Sequence, residues 1–337
     1  MQIIEASLDD LLHRTYEYIL ANGENVEPRK GSNKEVRNCV LTLQNPRSRI
    51  SLSEVRSPVI SCVGEFLWYL SSSDSIEFIE YYIPNYRKNI KFDDLTEDPV
   101  PGAYGPRIFG PDSQFEKIIE LLSNPESKES RRAVISLYSK TDLIGSDTRD
   151  IPCTCVLQFF IRENKLHLTT YMRSNDAAMG LIHDIFSFTL FQELMLCKLI
   201  SVYPNLQLGE YTHIVGSLHI YDKDICKIEH YLHAEGWHHP VSMPPFNPQF
   251  IENSIDKLLV IEKALRLEKA STLDKLDNIE DIVCQEMAVI LFAHFYLNSS
   301  PPNIEGLKGL KNKNLSQPIT AFLNKRIQTL QINEKAS

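Results

Sequence analysis

The sequence predicts a mixed fold, α/β (α+β), in which a large mixed sheet is flanked by helices and followed by a helical C-terminal part. Three observations support this: apolar residues at helical spacing, short strand-like runs in the middle of the chain, and helical periodicity alone after about residue 240. The chain has 337 residues, 43% of them hydrophobic, which is enough for a sizeable core.

The first third of the chain predicts helices separated by polar segments. Residues 5–21 place apolar residues at helical spacing, and residues 58–80 predict a buried helix with a serine-rich break. Residues 22–34 are polar and contain glycine and proline, which predicts a loop. Residues 87–113 hold several prolines and glycines and predict irregular structure.

The middle of the chain predicts a helix over residues 114–123, with Asp112 as its capping residue. Short apolar runs then predict strands, and a longer apolar run predicts a helix. The predicted strands are 133–138, 154–162, 165–172 and 213–221, and the helix is 181–202.

The last hundred residues predict helices alone. Their periodicity indicates helices at 249–270, 278–298 and 316–331, with a loop at 299–303. We therefore expect two parts, residues 1–235 and a mainly helical extension 236–337 packed on them.

Charge and cysteine content narrow the function. The chain has 35 lysines and arginines against 44 acids, a net charge of −9, which argues against non-specific nucleic-acid binding. No apolar stretch is long enough to span a bilayer, and the first residues lack the features of a signal peptide. Seven irregularly spaced cysteines argue against a disulfide framework and predict no metal site, so a reducing cytoplasm is the simplest compartment.

Some residues could carry chemistry. Cys153 lies in the run PCTC, although a lone cysteine at a strand start is most often a small core residue. Arg173 and Ser174 follow an apolar strand and offer donors suited to a phosphate. Arg131 and Arg132 precede a strand, where neighbours point to opposite faces, so a surface pair explains them equally well.

Taken in order, four segments resemble motifs of the thymidylate synthase and deoxycytidylate hydroxymethylase family. The resemblance covers roughly residues 5–230 and implies a homodimeric enzyme of thymidylate synthase-like fold. The segments are PCTCVLQFFIRENKLHLTTYMRSNDAAMGLIHDIFSFTL at 152–190, GEYTHIVGSLHIYDKD at 209–224, GEFLWYL at 64–70 and GAYG at 102–105.

The resemblance implies a role for each matching residue. Cys153 matches the nucleophile, Glu65 the glutamate that organises water and proton transfer, and Tyr104 the tyrosine of a catalytic loop. Other residues would bind the nucleotide and folate. They are Arg29, Arg173 and Ser174 for the phosphate, Arg131 and Arg132 donated to it across the dimer interface, His219 and Tyr221 for a sugar hydroxyl, and Asp176 for the folate pterin.

The chemistry agrees with these roles. Attack on C6 of a pyrimidine needs a thiolate, and a neighbouring guanidinium such as that of Arg173 favours this form over the thiol. Attack at C6 makes C5 a carbon nucleophile, which can take a one-carbon unit from the co-substrate 5,10-methylenetetrahydrofolate.

Asp184 departs from the synthase pattern, because it occupies the place of an asparagine that matches the N3–H and O4 of uracil. Cytosine has an N4 amino donor and an N3 acceptor instead. An ionised Asp184 would accept from N4, and a protonated one could also donate to N3. Asp184 therefore predicts a cytosine nucleotide, CMP or dCMP, as substrate.

Further departures bear on the last step. Thr154 replaces the histidine after the nucleophile, Ser217 replaces an aspartate, the segment YYIPNYRKNI lacks the synthase's tryptophan, and the chain ends QINEKAS without the apolar tail. A wetter site would let water complete a hydroxymethyl group. We thus expect a cytidylate 5-hydroxymethyltransferase. The alternatives are a divergent thymidylate synthase that methylates dUMP and a nucleotide-binding protein that has lost catalysis. The sequence does not distinguish a ribonucleotide from a deoxyribonucleotide substrate.

Overall fold

The chain divides into two compact units, Met1–Ser242 and Met243–Ser337. The first contains a sheet flanked by helices, and the second is helical. The computed structural model describes residues 1–28, 31–51, 53, 58–90, 100–143, 150–268 and 273–336.

The described residues of the first unit form one mixed sheet. Its strands are β1 (Gln2–Glu5), β2 (Glu24–Val26), β3 (Asn33–Leu43), β4 (Val134–Ser136), β5 (Thr154–Arg162), β6 (Lys165–Met172), β7 (Asn175–Asp176) and β8 (Gln207–Tyr221). Their order is β1-β3-β8-β6-β5-β4, with β2 beside β3 and β7 beside β8. The pairs β1–β3, β6–β8 and β7–β8 are parallel and the others antiparallel, which confirms the predicted mixed sheet.

Helices cover this sheet. The helices of the first unit are α1 (Leu8–Asn22), α2 (Val59–Leu70), α3 (Ile76–Tyr82), α4 (Tyr86–Ile90), α5 (Tyr104–Phe109), α6 (Gln114–Ser123), α7 (Gly180–Leu199) and α8 (Asp222–His230). The most buried of them, α7, is apolar on nearly every side, as is typical of a core helix, and α2 packs against it.

Several sequence predictions for this unit are confirmed. Strands β5 and β6 have the predicted bounds, and the turn between them uses Glu163 and Asn164 with φ values of 49° and 55°. The serine-rich break after residue 70 separates α2 from α3. Helices α1, α6 and α7 lie where the periodicity predicts them, within a few residues at each end.

Other predictions for this unit are wrong. The predicted loop 22–34 contains β2 and the start of β3, because backbone pairing overrides a polar sequence. The region predicted to be irregular contains α4 and α5. The cap of α6 is Ser113 rather than Asp112, since the Ser113 hydroxyl accepts from the Glu116 backbone N–H at 3.2 Å.

The second unit consists of helices α9 (Ile251–Lys263), α10 (Ile282–Leu297), α11 (Ile304–Leu310) and α12 (Gln317–Ala336). Three of them follow the predicted periodicity, whereas the short α11 lies in a stretch without a predicted element. Asp281 caps α10 by accepting from the Cys284 N–H at 3.0 Å. In neither unit do the described helices include one long and apolar enough to cross a membrane.

Strand pairing brings the site motifs together. The ends of β5 and β6 meet, so that the Arg173 N–H donates to the Cys153 carbonyl at 2.9 Å. The β5–β6 register shifts between Thr154 and Val156, a bulge that distorts the strand just after Cys153. The short β7 pairs with β8 and places Asp176 beside His219.

Candidate active site

A cavity of about 1020 Å³ opens in the first unit at the meeting point of these motifs. The residues predicted to act as the nucleophile, or to contact the base, the sugar or the folate, therefore lie around one cavity. The predicted residues that line it are Glu65, Tyr104, Cys153, Arg173, Ser174, Asp176, Asp184, His219 and Tyr221.

Three predicted arginines are not among the lining residues. Arg131 and Arg132 are exposed side chains just before β4, and neither lines the cavity of its own chain. Arg29 lies outside the described residues.

Cys153 and Arg173 line the cavity next to each other. Arg173 Nη2 lies 3.7 Å from Cys153 Sγ. The same guanidinium donates from Nε to the Pro152 carbonyl at 2.9 Å and from Nη2 to the Ile151 carbonyl at 2.8 Å. A cation fixed beside the sulfur stabilises the thiolate, which is the nucleophilic form of cysteine.

Tyr104 supports this part of the cavity from α5. Its hydroxyl accepts a hydrogen bond from the Thr154 backbone N–H at 3.0 Å, and its ring stacks on that of Tyr69 with centroids 5.2 Å apart. Burial raises the pKa of Tyr104 well above its ordinary value, and the neighbouring Cys153 and Asp184 raise it further. Tyr104 is therefore a neutral phenol that can donate or accept a hydrogen bond but not act as a ready base.

Two buried carboxyl groups, Asp184 on α7 and Glu65 on α2, face the cavity. Both side chains are buried. Burial raises the pKa of Asp184 well above its ordinary value, and the charge of Glu65 raises it further, while a hydrogen bond from Asn175 opposes the rise. Burial also raises the pKa of Glu65, which His183 and the Tyr69 hydroxyl oppose only in part. Two carboxyls in one buried site cannot both ionise easily, which suits proton transfer.

Sequence reasoning gave no role to Asn175, although it lies inside the predicted motif. Its amide nitrogen lies 2.9 Å from Asp184 Oδ2 and 3.0 Å from His213 Nε2, and all three side chains are buried. The signal available in the sequence was its position between the phosphate-binding and folate-binding residues of the motif.

The predicted sugar-binding pair, His219 and Tyr221, also lines the cavity. The His219 and Tyr221 rings make an edge-to-face contact with centroids 4.9 Å apart. Sequence reasoning missed Glu35 on β3, which lines the cavity and accepts a hydrogen bond from the Ser217 hydroxyl. A carboxylate at this position is an acceptor suited to a sugar hydroxyl.

Aromatic and apolar side chains line another part of the cavity. The volume lies at the upper end of the range for a single small ligand, so there is room for a nucleotide and a second planar molecule. These side chains are Trp68, Tyr69, Ile83, Tyr86 and Met179.

Curated relatives include two phage enzymes and a bacterial one. The chain is 28% identical over 243 residues to the deoxyuridylate hydroxymethyltransferase of Delftia phage PhiW-14, a match that covers 68% of this chain and 64% of the relative. It is 28% identical over 223 residues to the deoxyuridylate hydroxymethyltransferase of Bacillus phage SP01, which covers 61% and 55%. It is 25% identical over 213 residues to the thymidylate synthase of Mycoplasma mobile, which covers 55% and 69%.

The chain thus spans less than two thirds of the length of either phage relative. The thymidylate synthase family model matches residues 12–254, which include every cavity-lining residue named above. This match extends over more than half of the chain. The chain belongs to the thymidylate synthase family.

Proposed function

We propose that this protein is a cytosine-nucleotide 5-hydroxymethyltransferase, in which Cys153 adds to C6 of CMP or dCMP and C5 receives a one-carbon unit. The observation that carries the proposal is the presence, in one cavity, of a cysteine sulfur 3.7 Å from a guanidinium nitrogen and of a buried aspartate. The first suits attack on a pyrimidine and the second suits recognition of its amino group.

Cys153 attacks C6 as the thiolate, which Arg173 stabilises by charge. The guanidinium is held by the Pro152 and Ile151 carbonyls, so it need not move to act on the sulfur. A fixed charge placed before the reaction costs little reorganisation. Arg173 and Ser174 also supply donors for the nucleotide phosphate, as the family motif implies.

Asp184 selects the base. Its buried carboxyl presents an acceptor to the N4 amino group of cytosine, and the O4 of uracil would repel the same oxygen when it is ionised. A buried polar mismatch of this kind can discriminate by large factors.

The thymidylate synthase family uses methylenetetrahydrofolate as co-substrate. The aromatic side chains Trp68, Tyr69 and Tyr86 in the cavity lining suit a planar pterin ring, and the Asp176 carboxylate can accept hydrogen bonds from the pterin nitrogens. When bound, this co-substrate would supply the one-carbon unit and leave as tetrahydrofolate. C5 loses its proton, water adds to the transferred carbon, and Cys153 is expelled from C6. The chain's own residues then orient the ring and hold water near C5.

Glu65 moves the protons and guides the water that completes the hydroxymethyl group. Burial raises the pKa of Glu65, so this carboxyl keeps a proton more readily and can act as a general acid as well as a base. The names of the two phage relatives also favour a hydroxymethyl product over a methyl one.

We further propose a homodimer in the cytoplasm, in which Arg131 and Arg132 reach the partner's phosphate. Along β5, β6 and β8 the residues alternate between buried and partly exposed, so one sheet face is open. This face carries Val156, Phe160 and Tyr171, the last of which is 41% exposed. An apolar sheet face of this kind suits a partner subunit.

A second candidate is hydroxymethylation of dUMP, which the names of the phage relatives favour. A protonated Asp184 would donate to the O4 of uracil, and burial favours the protonated form. Methylation of dUMP, as in a thymidylate synthase, differs in the last step, where hydride from the folate would take the place of water.

The test is incubation of the full chain with CMP, dCMP, UMP or dUMP and methylenetetrahydrofolate, followed by mass spectrometry of the nucleotides. We expect a 5-hydroxymethyl product from a cytosine nucleotide, and none from the Cys153→Ser variant. A product from dUMP alone would contradict cytosine selection, and its mass distinguishes methyl from hydroxymethyl.

Release of tritium from the C5 position of labelled nucleotide distinguishes an active enzyme from a protein that has lost catalysis. Exchange that depends on Cys153 supports the covalent step. Calorimetric binding of nucleotide without any exchange would instead identify a protein that binds nucleotides but no longer reacts with them.

A further inference from the structure

Behind Asp184, a line of buried polar side chains runs from the cavity into the core of the first unit. Asn175 Nδ2 lies 2.9 Å from Asp184 Oδ2 and 3.0 Å from His213 Nε2. His213 Nδ1 lies 2.6 Å from Tyr211 Oη. Asn175, His213 and Tyr211 are at most 3% exposed. A buried hydrogen bond left unmade costs free energy, so the donors and acceptors along this line constrain one another.

The proton positions along this line follow from the donors and acceptors. Burial lowers the pKa of His213 to about 3, so its ring is neutral and has one N–H. The amide nitrogen of Asn175 can only donate, so His213 Nε2 accepts and the ring proton lies on Nδ1, which donates to Tyr211. The amide nitrogen also lies 2.8 Å from Met172 Sδ, but a thioether is a weak acceptor, so the second amide hydrogen donates to Asp184 Oδ2. This oxygen is therefore an acceptor whether or not the carboxyl carries a proton.

We propose that Asn175 is a positioning residue for base recognition, which commits Asp184 Oδ2 to the acceptor role and leaves Oδ1 as the oxygen that contacts the pyrimidine. This inference deepens the proposed function and rests on it. Among the residues that the structure describes, none donates a hydrogen bond to Asp184 Oδ1, and Asp184 lines the cavity. Oδ1 is thus the carboxyl oxygen that a ligand in the cavity can use without competing with Asn175.

Gly180, the first residue of α7, permits this arrangement. A Cβ atom at Gly180 would lie 3.0 Å from Asn175 Oδ1 and 3.6 Å from Asp184 Oδ2. The first distance is tighter than an ordinary contact, so a side chain here would push the Asn175 amide away from the helix. The absent side chain lets Asn175 approach Asp184 closely.

A single base-facing oxygen makes selection depend on protonation. An ionised Oδ1 accepts from N4 of cytosine and repels O4 of uracil, whereas a protonated Oδ1 donates to O4 of uracil. The ratio of affinities, cytosine nucleotide over uracil nucleotide, should therefore rise with pH as Asp184 ionises. The Asn175 hydrogen bond lowers the pKa of Asp184 against burial and Glu65, so its loss moves this rise to higher pH.

Other titratable groups face Asp184 and must be considered in that pH dependence. One of them, Glu65, raises the pKa of the Asp184 carboxyl. The thiol and the phenols have raised pKa values and His213 has a lowered one, so these groups stay neutral over the range tested. The groups are Glu65, Cys62 and Tyr69 on α2, Tyr104 on α5, and Tyr211 and His213 on β8.

The experiment measures the Kd of dCMP and dUMP by calorimetry between pH 5 and 9. It compares the natural chain with Asn175→Leu, which keeps the volume and removes the donor. Met195→Leu is the matched control, since Met195 is buried on α7 and does not line the cavity. We expect the midpoint of the affinity ratio to move up by roughly one to two pH units in Asn175→Leu and to stay in place in the control.

An unchanged midpoint in a folded Asn175→Leu protein overturns the proposal. If that variant does not fold, Tyr211→Phe provides the second test. Without the Tyr211 hydroxyl, His213 Nδ1–H loses its acceptor, so the tautomer that accepts from Asn175 is no longer favoured. The Asn175 bond to Asp184 then weakens, and the midpoint should move up as well. An unchanged midpoint there also overturns it. A preference of the natural chain for dUMP at every pH contradicts the proposed cytosine substrate alone, and a midpoint that still moves in the variants supports the role of Asn175.

Discussion

Arg173 Nη2 lies 3.7 Å from Cys153 Sγ, although 20 residues separate them in the sequence. The antiparallel pairing of β5 with β6 brings them together, since each lies just beyond a paired end. The guanidinium is held by two main-chain carbonyls, so the charge stays beside the sulfur without a ligand. The hairpin thus fixes a cation beside the Cys153 sulfur.

Replacement of Arg173 by glutamine should slow alkylation of Cys153. Without the cation, a smaller fraction of the thiol is ionised, and we expect the rate with iodoacetamide at pH 7 to fall about tenfold. The measurement is best made in a Cys226→Ser background, because Cys226 is exposed. Arg162→Gln, at the other end of β5, is the matched control and should leave the rate unchanged. Equal rates in the two variants would contradict the role of Arg173.

The buried carboxyls Asp184 and Glu65 should make the fold less stable as pH rises. Their folded-state pKa values are raised, so above about pH 4 the unfolded chain releases protons that the folded chain keeps, and stability falls until the folded-state pKa is passed. Asp184→Asn should therefore raise Tm at pH 8 by about 3 °C and flatten the decline between pH 5 and 8. Thermal unfolding checks this, with the exposed Glu116→Gln as control. A steeper fall of Tm with pH in Asp184→Asn would contradict this prediction.

The β5–β6 hairpin could be predicted to the residue, because its alternation and its polar turn are local signals. Strand β3 could not, since exposed Arg37 and a left-handed Asn38 (φ 55°) interrupt the apolar pattern and only its partners on both sides define it. Motif resemblance located Cys153, yet it gave no role to His213, which is 38 residues from Asn175 and reaches it through strand pairing. Spacing does not encode contacts of that kind.

Gly64, which precedes Glu65 on α2, should not tolerate alanine. A Cβ atom there would lie 2.1 Å from Tyr82 Cγ on α3, so α2 and α3 would have to separate. We expect a loss of about 3 kcal/mol or more in the free energy of unfolding, and weaker activity because Glu65 shifts with its helix. Gly309→Ala on α11 is the control, since nothing lies within 4 Å of that Cβ position and a helical alanine should gain about 1 kcal/mol. Urea denaturation measures both variants, and a stabilised Gly64→Ala protein would contradict the packing.

Arg131 and Arg132 should complement a catalytic lesion in the other subunit. Both are exposed and absent from the lining of the cavity in their own chain. The double variant Arg131→Ala, Arg132→Ala therefore keeps Cys153 and loses only the two arginines that it would donate to the partner subunit. Refolded together with Cys153→Ser chains, it should recover about a quarter of the natural activity, because half of the dimers are mixed and each has one complete site. Glu65→Gln mixed with Cys153→Ser is the matched control. Both of those residues line the cavity of one chain, so that pair should stay inactive. No recovery in the arginine mixture, with mixed dimers demonstrated by mass spectrometry, would mean that the arginines act within their own subunit or not at all.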